Sequence, residues 1–135
     1  MKRIYLLSLL TILTVSCTNS GAFLATNQTN VELGEGNYTL TATGISGEAE
    51  SAYILGLSYS SGFVANTIAI ARVSGSEKLY SEALDNLWLN YEKNHGAISD
   101  KKLALTNVRY DADILNLLVY SKVKITVRAD IIEFN

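Results

Sequence analysis

Four side chains could do chemistry in this chain: Cys17, His95, Asp111 and Asp113. Cys17 is the only cysteine, so its thiol has no disulfide partner within the chain. It is either a site of covalent modification, a lone buried cysteine or a reactive thiol. His95 is the only histidine and follows a predicted helix, where a polar or cationic side chain suits the helix dipole. One histidine and one cysteine do not supply the ligands of a zinc site.

Asp111 and Asp113 are two carboxylates two residues apart in a predicted turn. They could bind calcium or a small ligand, or act as an acid and base, but the sequence around them does not have the spacing of a calcium-binding loop. A solvated turn is the favoured interpretation of these two residues. The chain also lacks a G-x-S-x-G nucleophile motif. We therefore expect a non-enzymatic protein without cofactor or metal, and keep a hydrolase or small-molecule binder that uses these aspartates as the alternative.

The N-terminal segment places Cys17 in a recognisable context. Lys2 and Arg3 precede an apolar run of about a dozen residues, and the small Ser16 follows it. A basic start, a short apolar stretch and a small residue are typical of a secretory signal peptide, and the run is shorter than the ~20 residues that span a bilayer. The sequence therefore predicts a signal peptide over residues 1–16.

The sequence Leu13-Thr14-Val15-Ser16-Cys17 resembles the lipobox of bacterial lipoproteins. The resemblance implies that the Cys17 thiol receives a diacylglyceryl group, that cleavage makes Cys17 the new N-terminus, and that a third acyl chain such as palmitate is added. Thr14 stands where the lipobox usually has leucine. Thr18 is not the aspartate that retains many lipoproteins in the inner membrane, so the resemblance favours the outer membrane. No acidic run of the kind linked to surface export follows Cys17, which favours the periplasm-facing leaflet over surface display.

The remaining chain has the size and composition of one domain. Removal of residues 1–16 leaves 119 residues with nine basic and 13 acidic side chains, hence a net charge of −4. A mildly acidic domain has no electrostatic attraction to nucleic acid. Residues 17–21 are predicted to be a lipidated cysteine and a small polar tether, and residues 22–135 a single domain.

Alternating polar and apolar residues predict strands over 37–46 and 49–59, joined as a hairpin by a turn at 45–48. In the second strand, Tyr53, Leu55, Leu57 and Tyr59 share one side. Gly56 indicates a bulge or the close approach of another backbone. The nearly uncharged residues 63–73 favour a third strand, although a helix is an alternative, and this strand could mediate self-association.

Residues 76–94 have the strongest helical pattern of the chain. Apolar residues recur at helical spacing, at Leu79, Tyr80, Ala83, Leu84, Leu87, Trp88 and Tyr91. Ser74 or Ser76 is expected to cap the helix start and Gly96 to end it. We expect Trp88 to be the largest buried side chain.

The last third predicts strands over 103–110, 114–120 and 123–131, with turns at 111–113 and at Ser121 and Lys122. Together these elements predict an α+β fold. It has one mainly antiparallel sheet of about five or six strands, with a single amphipathic helix over 76–94 packed on one face.

The stretches CTNSGAFLATNQTNVEL, YSEALDNLW and NVRYDADILNLLVYSKVKITVRADIIEF resemble a family of small uncharacterised lipoproteins from Bacteroides-type bacteria. The resemblance covers essentially the whole mature chain and implies a lipoprotein of similar fold, without an activity or a ligand. We therefore expect an envelope lipoprotein, held by Cys17 on a membrane, that acts as a binding or structural module toward an envelope protein or a second copy of itself.

Overall fold

The computed structural model describes residues 17–20, 24–25, 33–34, 36–61, 64–117 and 119–135. Six strands and one helix follow in chain order: β1 (Cys17–Ser20), β2 (Leu24–Ala25), β3 (Tyr38–Ser61), β4 (Val64–Gly75), α1 (Leu79–His95), β5 (Leu103–Asn116) and β6 (Tyr120–Phe134). The predicted signal peptide at 1–16 lies outside the described residues.

The strands form one antiparallel sheet in the order β1-β5-β6-β3-β4, and β2 also pairs with β5. Four long strands make up the body of the sheet, fewer than the five or six predicted from the sequence. β1 and β2, of four and two residues, add to it beside β5. Cys17–Ser20, predicted as the start of the tether, thus run along β5. The predicted α+β class is confirmed, with a single helix among the described residues.

The predicted hairpin within residues 37–59 is wrong, because β3 is one strand of 24 residues. The two glycines that indicated a turn, Gly44 and Gly47, both lie within this strand. Gly44 has a φ of 64° at an irregularity in the β3–β6 pairing, and Gly47 lies against the helix. β3 pairs with β6 over Tyr38–Ile54 and with β4 over Ser51–Ser61, so each half has a different neighbour.

The predicted boundaries in the last third also change. Asp111 and Asp113 do not form a turn but lie within β5, opposite Thr126 and Lys124. Ser121 and Lys122 lie within β6 rather than in a turn, because the chain reverses between Leu117 and Tyr120, which exchange backbone hydrogen bonds. Residues 64–75 are a strand, as the sequence favoured.

The helix is confirmed with slightly different ends, Leu79–His95. Its first residue follows Lys78, whose amide donates to Ser76 Oγ at 2.9 Å, so Ser76 orders the entry although the helix has no side-chain cap. Gly96, with a φ of 85°, ends the helix as predicted and donates its N–H to the Glu92 carbonyl.

The core lies between the helix and the sheet. Its buried members are Ala42, Ala49, Ala83, Leu87, Tyr91, Val127, Ala129 and Ile131. The prediction that Trp88 is the largest buried side chain is wrong: Trp88 is half-buried at the edge of this cluster, and Tyr91 is the largest fully buried one. The Trp88 ring meets the Tyr91 ring edge-on at 6.1 Å, so it covers the core rather than filling it.

Candidate functional site

Cys17 lies at one end of the sheet. The backbone of β1 pairs antiparallel with the end of β5, and this pairing places Cys17 opposite Asn116. Asn116 is the last residue of β5, next to the reversal that leads into β6. The backbone of Cys17 therefore lies at the end where β5 turns into β6.

Asn116 also joins this end to the β3–β4 hairpin. Its Nδ2 donates a hydrogen bond to the Ser58 carbonyl at 2.7 Å, and its Oδ1 accepts one from the Ser58 amide at 2.9 Å. These two hydrogen bonds satisfy the backbone amide and the backbone carbonyl of Ser58, as a neighbouring strand would. The outer half of the β3–β4 hairpin is thus held next to the residue that pairs with Cys17.

One side of the hairpin packs against the β5–β6 reversal. Ser58 Oγ contacts Thr67 Oγ1 at 2.9 Å and donates to Ser121 Oγ at 3.4 Å. Gly56 lies on the same side, where an added Cβ would lie 2.7 Å from the Ala69 Cβ and 3.0 Å from Ser121 Oγ. The predicted close approach at Gly56 is confirmed, and only small side chains fit between the layers.

The other side of the hairpin carries an exposed row of apolar residues that we call the apolar stripe: Leu55, Leu57, Tyr59, Ile68 and Ile70. Leu57 and Ile68 are direct cross-strand partners, and the others follow by the alternation of the two strands. Their exposed fractions run from 47% for Tyr59 to 79% for Ile70. The predicted common side of Tyr53, Leu55, Leu57 and Tyr59 agrees with this register.

The β5–β6 reversal adds two more exposed apolar residues, Leu117 and Val119, to the same end. The Leu55 amide donates to the Val119 carbonyl at 2.9 Å, so the reversal borders the apolar stripe directly. Leu55 itself has a φ of 49°, which turns β3 away from β6 at this point. The stripe, the reversal and the backbone of Cys17 form one end of the molecule.

Asp111 and Asp113 lie away from that reversal, side by side on β5 in a ladder of charged residues. The sequence predicted these two carboxylates together, and the strand does keep them on one side, opposite Thr126 and Lys124. Across β6, Lys124 Nζ makes an ion pair with Glu48 at 2.8 Å, and Lys122 Nζ one with Glu50 at 2.6 Å. The hydrogen bond to Glu50 raises the pKa of Lys122.

This ladder does not assemble a metal-binding set. Within the described ranges, no three or more His, Cys, Asp or Glu side chains come close enough together to hold a metal ion. Ion pairs of this partly exposed kind contribute little to stability, because water and salt screen them. The chemistry that the ladder supports best is cross-strand pairing on the sheet surface.

His95 is the last residue of α1, as predicted, and its ring stacks on Tyr91 with centroids 4.8 Å apart. A second aromatic pair joins the helix to the sheet: the Tyr80 and Tyr110 rings lie 4.9 Å apart, and their hydroxyls are hydrogen-bonded. Partial burial and this bond raise the pKa of Tyr80.

Sequence reasoning missed Asp130, which links irregular points on both neighbouring strands. Its Oδ1 accepts from the Gly44 amide at 2.8 Å, and its Oδ2 from Asn107 Nδ2 at 2.8 Å. Both partners have a positive φ. The sequence offered one signal for this link. Asp130 is a charged residue within an alternating strand pattern, and its two partners, Gly44 and Asn107, are of residue types that favour turns.

No helix in the described part of the chain is long and apolar enough to span a membrane. The sequence profile of DUF6567, described as a family of unknown function, matches residues 1–135. Comparisons with curated proteins and with solved structures found no match.

Proposed function

Because the chain belongs to the DUF6567 family, whose function is unknown, we propose a function from its own residues: it is an envelope lipoprotein anchored to a membrane through Cys17. The observation that carries the proposal is the order basic start, apolar run, small residue and sole cysteine within the first 17 residues. That order brings one thiol to the membrane surface at the moment when a lipid can be attached to it.

The free energy of such an anchor is sufficient. Each buried methylene contributes about 0.8 kcal/mol, and stable attachment to a bilayer takes two or more acyl chains. A diacylglyceryl cysteine brings two chains, and acylation of the new N-terminus brings a third. The mature chain would thus stay on its membrane without a spanning helix, and the Thr18 that follows the cysteine favours the outer membrane facing the periplasm.

Above the anchor we propose a non-enzymatic binding or structural module. The position of Asp111 and Asp113 in a strand, opposite Thr126 and Lys124, supports a pairing role for these carboxylates rather than the hydrolase or small-molecule alternative. The exposed apolar stripe supports a binding role, because large exposed apolar patches mark surfaces that bind another molecule or a membrane. The partner of this module is an envelope protein or a second copy of the chain.

Mass spectrometry of the protein purified from bacterial membranes tests the anchor. We expect the N-terminal peptide to begin at Cys17 and to carry the mass of a diacylglyceryl group and an added acyl chain. The Cys17→Ser variant should keep residues 1–16 and carry no lipid, because serine offers no thiol for the diacylglyceryl group. The neighbouring Thr18→Ser variant is the matched control and should be processed normally. An intact Met1 and an unmodified Cys17 thiol in the wild-type protein would refute the proposal.

A further inference from the structure

We propose that the apolar stripe and the β5–β6 reversal form a membrane-contact surface, on which the domain rests against the bilayer that holds its anchor. The proposal rests on lipidation of Cys17. It adds that the domain does not float above the membrane but meets the acyl and headgroup boundary with Leu55, Leu57, Tyr59, Ile68 and Ile70, beside Leu117 and Val119.

The position of Cys17 supports a lipid surface as the occupant. Cys17 pairs with Asn116, Asn116 binds both backbone groups of Ser58, and Ser58 lies between Leu57 and Tyr59 of the stripe. Only two contacts therefore connect Cys17 to the stripe: its backbone pairing with Asn116, and the hydrogen bonds of the Asn116 side chain to Ser58. With Cys17–Ser20 on the sheet, little free chain separates the anchor from the domain, so this end must lie close to the bilayer.

The distribution of apolar residues points to the same end. Among the described residues, fourteen large apolar side chains are exposed, and eight of them lie on the stripe, at Ile54 or at the reversal. Taking about 200 Å² for each fully exposed large side chain, the stripe alone exposes roughly 600 Å², the upper limit of the largest patch on ordinary monomers. A surface of this size needs a partner that is itself apolar.

The distribution of charge fits a bilayer. Residues 54–71 and 114–121 contain no Asp, Glu, Lys, Arg or His, so contact with lipid would not desolvate a charge there. The charged side chains that border these two segments are Glu50, Arg72, Asp113 and Lys122. Arg72 pairs with Glu77 at 3.1 Å and Lys122 with Glu50 at 2.6 Å. Tyr59 supplies the amphipathic ring that is enriched at membrane interfaces.

Fluorescence quenching in vesicles tests this surface on the full-length, lipidated chain. Leu57→Cys and Ile70→Cys each introduce one thiol on the stripe, and acylated Cys17 does not compete for a thiol-reactive bimane label. Leu89→Cys is the matched control: Leu89 is 60% exposed, on the helical turn whose Asn86 and Asn90 contact Glu48 and Ser46. That turn lies roughly 30 Å along β3 from Leu57. The vesicles contain phosphatidylethanolamine and phosphatidylglycerol in a 3:1 ratio, with or without doxyl-labelled lipid.

We expect doxyl lipid to quench the labels at positions 57 and 70 at least threefold more than the label at 89, and aqueous iodide to show the reverse order. Equal quenching by iodide at all three positions would overturn the proposal. Labels at 57 and 70 that neither quencher reaches, together with disulfide cross-linking between molecules when the same variants are left unlabelled and oxidised with copper phenanthroline, would assign the stripe to a second copy and also overturn it. Labelling of Cys17 in the parent chain would instead show that the anchor itself is absent, so the two failures are distinguishable. Circular dichroism of each labelled variant confirms that it is folded.

Discussion

At the scale of single residues, Gly47 sets how closely the helix approaches the sheet. A Cβ at position 47 would collide with the Ala83 carbonyl oxygen and the Leu87 amide nitrogen, and would lie 2.8 Å from the Asn86 carbonyl carbon. These are backbone atoms of α1, which cannot move without displacing the helix. Ala83 and Leu87, both fully buried, owe their burial to this contact.

Gly47→Ala is therefore expected to lower the free energy of unfolding by about 3 kcal/mol, the cost of overpacking where the backbone cannot yield. Urea unfolding followed by circular dichroism measures the change. Gly34→Ala is the control, because a Cβ there would meet only Asn37 side-chain atoms, at 3.8 Å or more. Equal stability of Gly47→Ala and wild type would show that the helix sits farther from β3 than the structure has it.

At the scale of elements, the helix protects an open strand edge. β4 pairs with β3 only from Ser51 onward, so none of the described strands lies on that side of the preceding residues of β3. Two asparagines one helical turn apart cover it: Asn86 Nδ2 donates to the Glu48 carbonyl and Asn90 Nδ2 to the Ser46 carbonyl, each at 2.8 Å. Unpaired edges invite pairing with other chains, so these side chains stabilise the fold and limit aggregation.

Asn86→Ala and Asn90→Ala should each lower the free energy of unfolding by about 1 kcal/mol, the net contribution of one hydrogen bond. Thermal and urea unfolding measure both effects. Asn94→Ala is the control within the same helix, because Asn94 Nδ2 donates only to the Asn90 carbonyl one turn earlier. If all three variants lost the same stability, the effect would belong to the helix and not to its contact with β3.

At the scale of the whole molecule, two groups link stability to alkaline pH. Burial and the bond to Tyr110 raise the pKa of Tyr80 above its ordinary 10.0, and the bond to Glu50 raises the pKa of Lys122 above 10.5. In both cases the folded state holds its proton more tightly than the unfolded state. Their contribution to stability is therefore complete below pH 10 and is lost as the pH rises toward the folded-state values.

We expect the melting temperature to fall as the pH increases from 10 to 12, and the fall to be less steep in the Tyr110→Phe variant, which lacks the hydroxyl bonded to Tyr80. Absorbance at 295 nm measures tyrosine ionisation in the same samples. In the variant, Tyr80 should ionise at lower pH than in the wild type, while still above its ordinary pKa because burial remains. After the loss of the Tyr110 signal is allowed for, an unchanged pH of Tyr80 ionisation would contradict the hydrogen bond between the two hydroxyls.

The predictions that succeeded were local. The helix and its end at Gly96 follow from a 3.6-residue period and one stop signal, and the strand at 64–75 from alternation. The failures occurred where glycine or aspartate stands inside a strand. Gly47 accommodates a helix, and Asp113 lies opposite Lys124 on a polar side of the sheet, so neither marks the turn that its residue type suggests.

The sequence alone determined the α+β class, the helix, the family and the unusual first 17 residues, because each depends on residues close together along the chain. Only the tertiary structure decided that β3 is one long strand, that Asn116 binds Ser58 across 58 residues, and that Cys17 and the apolar stripe share one end. Such contacts depend on which strands become neighbours, and strand order is set by packing across the whole sheet rather than by any local pattern.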